Sequence, residues 1–412
     1  MKSPDEPADR VCDVLVAGSG LAGLTAAIAF ARFSFDVISC GADERTGRGR
    51  TVALLERSAA YLKSLRLWDA IAPELAPLRG LRLIDDTGGL FPPRPVEFMS
   101  SEIGLEAFGW NVENDRLAAA LAAAAAQTPG LERIGSPVLG YRFSSEKALA
   151  SVEHGRAVEA SLVVGADGRA SLARRAARLK ARAHRYPQSA LTALLSHRLP
   201  HDDFSTEFHT REGPFTLVPL KGNALRPHRS SLVWVMSPGA ARRRAALGRD
   251  GLAEEIERHA HSILGAMAIE GEPGVFPVAS EIVPRITGPR LSLVGDAAHG
   301  LPPIGAQGLN LGLRDVKAIV ESARYARALG EDIGGPEALR RYERSRRFDI
   351  AARTTLVDGL NRALLSRLPP VDFARGAGLA ALGAIGPLRR FVMRGGVGPG
   401  FPLSRVPEKA RP

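Results

Sequence analysis

Residues 11–17, VCDVLVA, are apolar almost throughout, the pattern of a parallel strand buried on both faces. The turn Gly18-Ser19-Gly20-Leu21-Ala22-Gly23 follows at once, then an alanine-rich stretch to about residue 33 that reads as a helix. DVISC, 36–40, is the next strand, so the chain opens as a βαβ unit. Residues 51–72 predict a helix, with Leu54, Leu55, Leu62, Leu65 and Leu67 spread over more than one face. Residues 79–99 alternate and carry paired glycines and prolines, which predicts short strands and turns. Asn114 is placed to cap an alanine-rich helix that runs to about residue 127. Antiparallel strands are expected over 137–165, ending in SLVVG, and again over 186–236, clearest at 215–218 and 231–235. A basic helix over about 240–266, a buried strand RLSLV at 290–294 and a long helix over about 308–329 complete the pattern. The last 60 residues read as helical and basic, broken by prolines. The strand-rich stretch 186–275 lies between two Rossmann-like segments, so a second domain is expected inside the first.

Composition narrows the function. The chain has 412 residues, 45% hydrophobic and 24% charged, an ordinary globular mix. Lys plus Arg is 55 against 44 for Asp plus Glu, a net charge of +11. Nucleic acid, an anionic membrane surface, an anionic cofactor, or simply an arginine-rich composition would account for it. No nucleic-acid recognition motif is present, and three Trp and five Tyr offer few stacking platforms, so nucleic acid is set aside. The basic runs 242–244 and 340–353 read as solvated faces. Two cysteines, Cys12 and Cys40, make no disulfide framework, and without a CxxC or Cys/His cluster no metal site is expected. The polar N-terminus has no signal-peptide core. The longest apolar run, 117–126, falls well short of the roughly 20 residues that span a bilayer, and a reduced cytoplasmic location is expected.

The chemistry concentrates in three motifs. In Gly18-x-Gly20-x-x-Gly23, between strand and helix, the first glycine makes the tight turn and the second admits a pyrophosphate. The third lets helix and strand pack, and the helix N-terminus attracts the phosphates. A second match, Gly376-x-Gly378-x-x-Ala381, follows no strand and reads as a helix start. The acid that should bind a ribose hydroxyl about 20 residues on is absent: Gly41 stands there, with Asp43 and Glu44 just beyond as candidates. Ser34 occupies the helix-ending position often taken by glycine. The second motif is Gly165-Ala166-Asp167-Gly168, after a strand, with Ser171 and Arg174 beyond. The third is Gly295-Asp296-Ala297-Ala298-His299, running into Pro302-Pro303-Ile304-Gly305-Ala306-Gln307-Gly308-Leu309-Asn310. An aspartate at a strand end can accept from a sugar hydroxyl, and a glycine-rich loop entering a helix presents N–H groups to negative charge.

GSGLAG, GADGRAS and GDAAHGLPPIGAQGLNLGLRD, in this order, resemble the group A FAD-dependent aromatic monooxygenases. Within that superfamily the chain is most similar to the ubiquinone-biosynthesis hydroxylases of UbiH/UbiF type, on softer blocks such as VENDRL and GPFTLVPL. The resemblance covers roughly residues 10–400. It implies an α/β fold, with a Rossmann-like FAD-binding domain over 1–75, 103–185 and 276–345. A β-rich substrate domain over 76–102 and 186–275 is inserted into it, and a helical region over 346–412 closes the chain. FAD would be held by Gly18, Gly20 and Gly23 at the pyrophosphate, with Arg50 matching the arginine that approaches the phosphates. Asp167 and Gly168 match the DG motif linked to FAD and NAD(P)H, and Gly295 and Asp296 the ribityl site. Gly305, Ala306, Gln307, Gly308, Leu309 and Asn310 match the loop at the isoalloxazine. Pro303 and Gly305 would border the substrate pocket, with no dedicated acid or base; His299 belongs to the loop's structure.

The resemblance further implies that NAD(P)H reduces FAD as a transient reductant. O2 then adds to give a C4a-hydroperoxide, which attacks the ring of a polyprenylated phenol. Such a substrate partitions into a membrane. The apolar stretch 379–392, with Arg389, Arg390 and Arg394, would then rest on anionic lipid of the inner membrane, on a partner enzyme of a ubiquinone-biosynthesis complex, or on the protein's own body. A hydroxylase of another aromatic substrate or a prenyl reductase shares the motifs. A halogenase is disfavoured, because its WxWxIP block has only LVWVMSP here, at 232–238. If Gly41 and Ser34 signify weak FAD binding, the protein would instead serve as a scaffold.

Overall fold

The computed structural model describes residues 8–42, 49–88, 94–153, 156–303, 305–365, 378 and 381–397. Strand β1 (Arg10–Ala17) is followed by helix α1 (Leu21–Arg32), whose Leu24, Ile28 and Phe30 are buried. Ser34 ends the helix in the left-handed region at φ 61°, the conformation its position implied. After β2 (Val37–Cys40), the chain resumes as β3 (Thr51–Leu55). The expected helix from residue 51 is thus corrected to a strand: Thr51 to Leu55 pair antiparallel with residues 109–113, and the helix starts only at Glu56. Then come α2 (Glu56–Ser64), α3 (Trp68–Ile71), β4 (Ala76–Leu78), β5 (Gly80–Asp86) and β6 (Val96–Met99).

Strand β7 (Gly109–Glu113) runs directly into α4 (Asn114–Ala126). Glu113, still in the ladder opposite Thr51, is therefore the cap residue, and Asn114 does not cap as expected; its Oδ1 is buried without a partner. Strands β8 (Leu131–Ile134), β9 (Val138–Phe143), β10 (Ala148–Val152) and β11 (Ala157–Gly165) lead to the short helix α5 (Leu172–Ala176). Long strands follow: β12 (Arg182–His197), β13 (Phe204–Thr210), β14 (Gly213–Leu220) and β15 (Arg229–Met236). The single helix expected over 240–266 is two, α6 (Pro238–Ala245) and α7 (Gly248–His259), broken where Gly248 takes φ 72°. After β16 (Met267–Ile282), β17 (Thr287–Gly288), β18 (Leu291–Leu293) and β19 (His299–Gly300) come three helices: α8 (Gln307–Ala328), α9 (Pro336–Leu365) and α10 (Gly386–Val397).

Among the described residues these strands form two large sheets and a small one. The first has the order β17-β18-β11-β1-β2-β8, with β10 and β9 added beside β11; β18, β11, β1, β2 and β8 run parallel. The second, β19-β16-β12-β15-β14-β13-β5-β6, takes its strands from residues 80–99 and from 182 onward. The small sheet, β3-β7-β4, lies outside both. One core packs Phe30, Phe35, Ile38 and Leu54 around the parallel sheet, and another packs Phe208, Phe215 and Trp234 behind the second sheet. Cys12 and Cys40 are both buried free thiols, pushed up to about 12 by burial and so unreactive. In the β1–β2 ladder Cys40 faces Ala17, about 16 Å along the strand from Cys12, well outside bridging distance.

Candidate active site

Register brings the three motifs together. Ala17 pairs with Gly165, and Gly165 with Leu293, so three adjacent parallel strands end at one level. The ladder continues one step past the strands, with Ala166 N–H on the Ala17 carbonyl (2.7 Å) and Val294 N–H on the Gly165 carbonyl (3.0 Å). Gly18, Asp167 and Asp296 therefore all lie at the carboxyl edge of one sheet, where α/β proteins bind their ligands.

The glycine turn is built by close approach. Gly18 sits at φ 119°, and a Cβ there would run into the Ala166 carbonyl; a Cβ on Gly23 would run into the carbonyl of Gly18. Nothing lies within 4 Å of where a Cβ on Gly20 would stand, so that position faces open space above the N-terminus of α1. Gly41 is different again. A Cβ there would come 2.6 Å from the Ser19 amide nitrogen and 2.9 Å from its Oγ, and Ser19 donates its hydroxyl to the Ala42 carbonyl. A cleft opens beside it, lined by Ser19, Ser39, Gly41, Arg133, Ile134 and Gly135. Asp43 and Glu44 lie outside the described residues, as do Ile304 and Gly376. Arg50 is exposed, stacks over the Phe276 ring at 5.1 Å, and accepts Asn114 N–H on its carbonyl.

Asp167 uses one oxygen to accept from the amides of Leu172 (2.7 Å) and Ala173 (3.0 Å), which fixes the start of α5; its Oδ1 is buried without a partner. Gly168, at φ 75°, makes the turn beside it. Ser171 caps α5, and the buried Arg174 ties this motif to the third, donating to the Ala297 carbonyl (3.0 Å) and pairing with Glu281. Asp296 lies half-exposed, 3.6 Å from Arg169 Nε. Pro302 is buried and Pro303 exposed in the loop before α8.

Gly305 (φ 63°) and Ala306 (φ 54°) are consecutive left-handed residues, and α8 starts directly after them at Gln307, with Gly308 and Leu309 half-buried in its first turn. Asn310 is fully buried, and its side chain is committed to protein: Oδ1 accepts Leu55 N–H, and Nδ2 donates to the carbonyls of Ala53 (2.7 Å) and Ala306 (2.6 Å). A ligand at this turn would therefore meet backbone rather than the Asn310 side chain.

Sequence reasoning missed a buried ion network behind the loop. Asp315 accepts Gly295 N–H (3.0 Å) and Arg346 Nε (2.7 Å), with His299 Nε2 at 2.5 Å. Burial alone would raise its carboxyl, but His299 and Arg346 outweigh that and hold it low. Arg346 and Arg353 both reach Asp349, so the run 340–353, expected as a solvated face, turns two of its arginines into the protein. Burial, with Arg353 close by, lowers Arg314 to about 10. Arg244 corrects the other basic run: it lies over the Trp234 ring at 4.1 Å and pairs with Glu255 and Glu212. The i, i+3, i+7 spacing of Arg346, Asp349 and Arg353 is the signal that marked one helix face.

Residues 11–355 match the FAD binding domain family. The chain belongs to that family. It is 32% identical over 398 residues to ubiquinone hydroxylase UbiL of Rhodospirillum rubrum, covering 95% of this chain and 90% of that protein. It is 31% identical over 399 residues to 3-demethoxyubiquinol 3-hydroxylase of Escherichia coli, covering 94% and 98%. Its fold is similar to that of p-nitrophenol 4-monooxygenase PnpA from Pseudomonas putida, with a TM-score of 0.77 at 17% identity over 93% of this chain and 97% of that one. The protein is a FAD-dependent aromatic-ring monooxygenase. The chain's own residues fit the cofactor: Gly20 has open space where a Cβ would stand, Asp167 keeps a buried Oδ1 without a partner, and Gly305 and Ala306 turn left-handed at the start of α8.

Proposed function

We propose that this monooxygenase hydroxylates the ring of a polyprenylated phenol in ubiquinone biosynthesis. One ring C–H becomes C–OH as NADH or NADPH is oxidised and O2 yields the inserted oxygen and one water. The observation that carries this reading is near-full-length similarity to two ubiquinone-pathway hydroxylases in a chain whose three motifs converge on one sheet edge. FAD, when bound, supplies the electron transfer and the oxygen activation.

The chain's residues bind and orient. Gly18, Gly20 and Gly23 receive the pyrophosphate at the N-terminus of α1, with Arg50 as its counter-charge. Asp167, Gly168, Gly295 and Asp296 hold the sugar and ribityl hydroxyls. The cleft at Ser19, Ser39 and Arg133 would take the adenosine half, with Gly41 in place of an acid. The backbone N–H groups from Gly305 to Asn310 would meet the isoalloxazine and favour negative charge on it. Pro303 and Gly305 border the ring being hydroxylated. FAD-binding segments 1–75, 103–185 and 276–345 would carry this half of the work, and 76–102 with 186–275 the substrate wall.

A greasy substrate calls for access to lipid. Among the described residues no helix is long and apolar enough to cross a membrane. Helix α10 is held to the protein by Met393, buried against Val96 and Phe98, and by Arg389 on Glu102. It still exposes Leu388, Phe391 (76%) and Val392, next to the exposed Ile385 just before it, with Arg390 and Arg394 beside them. That surface suits an anionic bilayer. Flotation with phosphatidylglycerol vesicles should capture the protein, and Phe391→Glu should release it. Capture that survives this change points instead to another surface.

Deletion of the gene should accumulate a prenylphenol short of one hydroxyl, and the purified protein should oxidise NAD(P)H faster when that compound is added. A colourless protein that takes up no FAD would refute the reading.

A further inference from the structure

The ion network has a geometry that bears on the loop at α8. Arg353 donates from Nε to Asp349 Oδ1 (3.1 Å) and from Nη1 to Gln307 Oε1 (2.7 Å). Gln307 in turn donates from Nε2 to the Gly305 carbonyl (2.9 Å). At the other end of the same loop, Asp315, gripped by Arg346, accepts the Gly295 amide. Asp349 joins the two halves, because Arg346 Nη1 and Arg353 Nε bind its two oxygens. Helix α9 thus reaches Gly295, through Asp315, and Gln307 from its buried Arg346 and Arg353. The two left-handed residues between them, Gly305 and Ala306, would relax without a brace, since Ala306 pays a steric cost at φ 54°.

We propose that Arg353 is a positioning residue for the flavin loop. Through Gln307 it holds the Gly305–Ala306 pair, so that the first amides of α8 are aimed before the cofactor arrives. This rests on the FAD reading above. A guanidinium serves because one planar group meets Asp349 and Gln307 through different nitrogens; an ammonium is a single point.

The test uses Arg353→Met, Arg353→Lys and Gln307→Leu in the full chain, with Arg340→Gln, at an exposed pair with Glu337, as control. Amide exchange of residues 305–310 in the FAD-free protein is read first, and should speed about tenfold in all three variants but not in the control. FAD affinity and two-electron potential follow. Reduced flavin should lose about tenfold more affinity than oxidised flavin, which lowers the potential by about 30 mV. The Arg353→Met/Gln307→Leu double variant should be no worse than the more affected single one, because the two share the Arg353–Gln307 contact. If Arg353→Met does not fold, Gln307→Leu, which leaves Arg353 on Asp349, still reads exchange and potential. Unchanged exchange and potential, or additive effects in the double variant, overturn the proposal while the FAD reading stands. Wild-type protein that takes up no FAD overturns both.

Discussion

Asn310 Oδ1 accepts the amide proton of Leu55 at 2.9 Å, across 255 positions of chain. The bond stitches the first turn of α8 to the end of β3, and the same side chain satisfies Ala53 and Ala306. Asn310→Ala would strand a buried donor and two acceptors. Each unsatisfied group costs about 1–3 kcal/mol. Urea unfolding of the FAD-free protein should therefore show a loss of about 3 kcal/mol, with no change confined to catalysis.

Two glycines of the turn should separate folding from binding. A Cβ on Gly23 meets the Gly18 carbonyl, so Gly23→Ala should lower the melting temperature of the FAD-free protein. A Cβ on Gly20 meets nothing, so Gly20→Ala should melt as wild type and yet bind FAD at least tenfold more weakly. Scanning calorimetry beside flavin-fluorescence titration distinguishes them. Equal melting losses in both would refute the open-face assignment of Gly20.

Gly41 invites an acid when only the missing ribose partner is considered, and Gly41→Glu would then tighten FAD binding, or leave it flat if Asp43 or Glu44 already serves. The packing reverses that expectation. The new Cβ would press 2.6 Å from the Ser19 amide and displace the turn that takes the pyrophosphate. Gly41→Glu should weaken FAD about tenfold, and Gly41→Ala nearly as much. Tighter binding by either variant would show that the turn yields.

Asp349 carries a pH signature. Burial would raise its carboxyl, but Arg346, Arg314 and Arg353 outweigh that and lower it to about 2, below the ordinary 3.8. The unfolded chain therefore takes up this proton first as pH falls. The stabilisation is fully present above about pH 4 and fades as pH falls towards 2, and it is on the order of 2 kcal/mol. Asp349→Asn should destabilise at pH 7 and flatten the stability profile between about pH 4 and 2. A parallel profile in the variant would show that the carboxylate is not held by its arginines.

Much of the site was legible because local chemistry fixes it. The turn at Gly18 to Gly23 needs its glycines for backbone reasons that a short window contains, and the apolar runs at 11–17 and 290–294 read as strands, with Val14 to Val16 and Leu291 to Leu293 fully buried. Other positions were misread for lack of a neighbour. Thr51 to Leu55 looked helical until β7 lay beside them, and Asn114 looked like a cap until Glu113 proved to be still in the ladder. Arg346 and Arg353 looked solvated because a basic run far from its acids resembles any surface helix.

By itself, then, the sequence determined that this chain folds around a dinucleotide turn and carries the FAD-family motifs, because those demands are met within a few consecutive residues. Only the tertiary structure decided that Ala17, Gly165 and Leu293 end level, that Asn310 is spent on β3, and that α9 grips the loop through Asp315 and Arg353. Those relations join residues tens to hundreds of positions apart. A hydrogen bond over such a span depends on where the backbone has already been placed, and residue type alone carries no record of that.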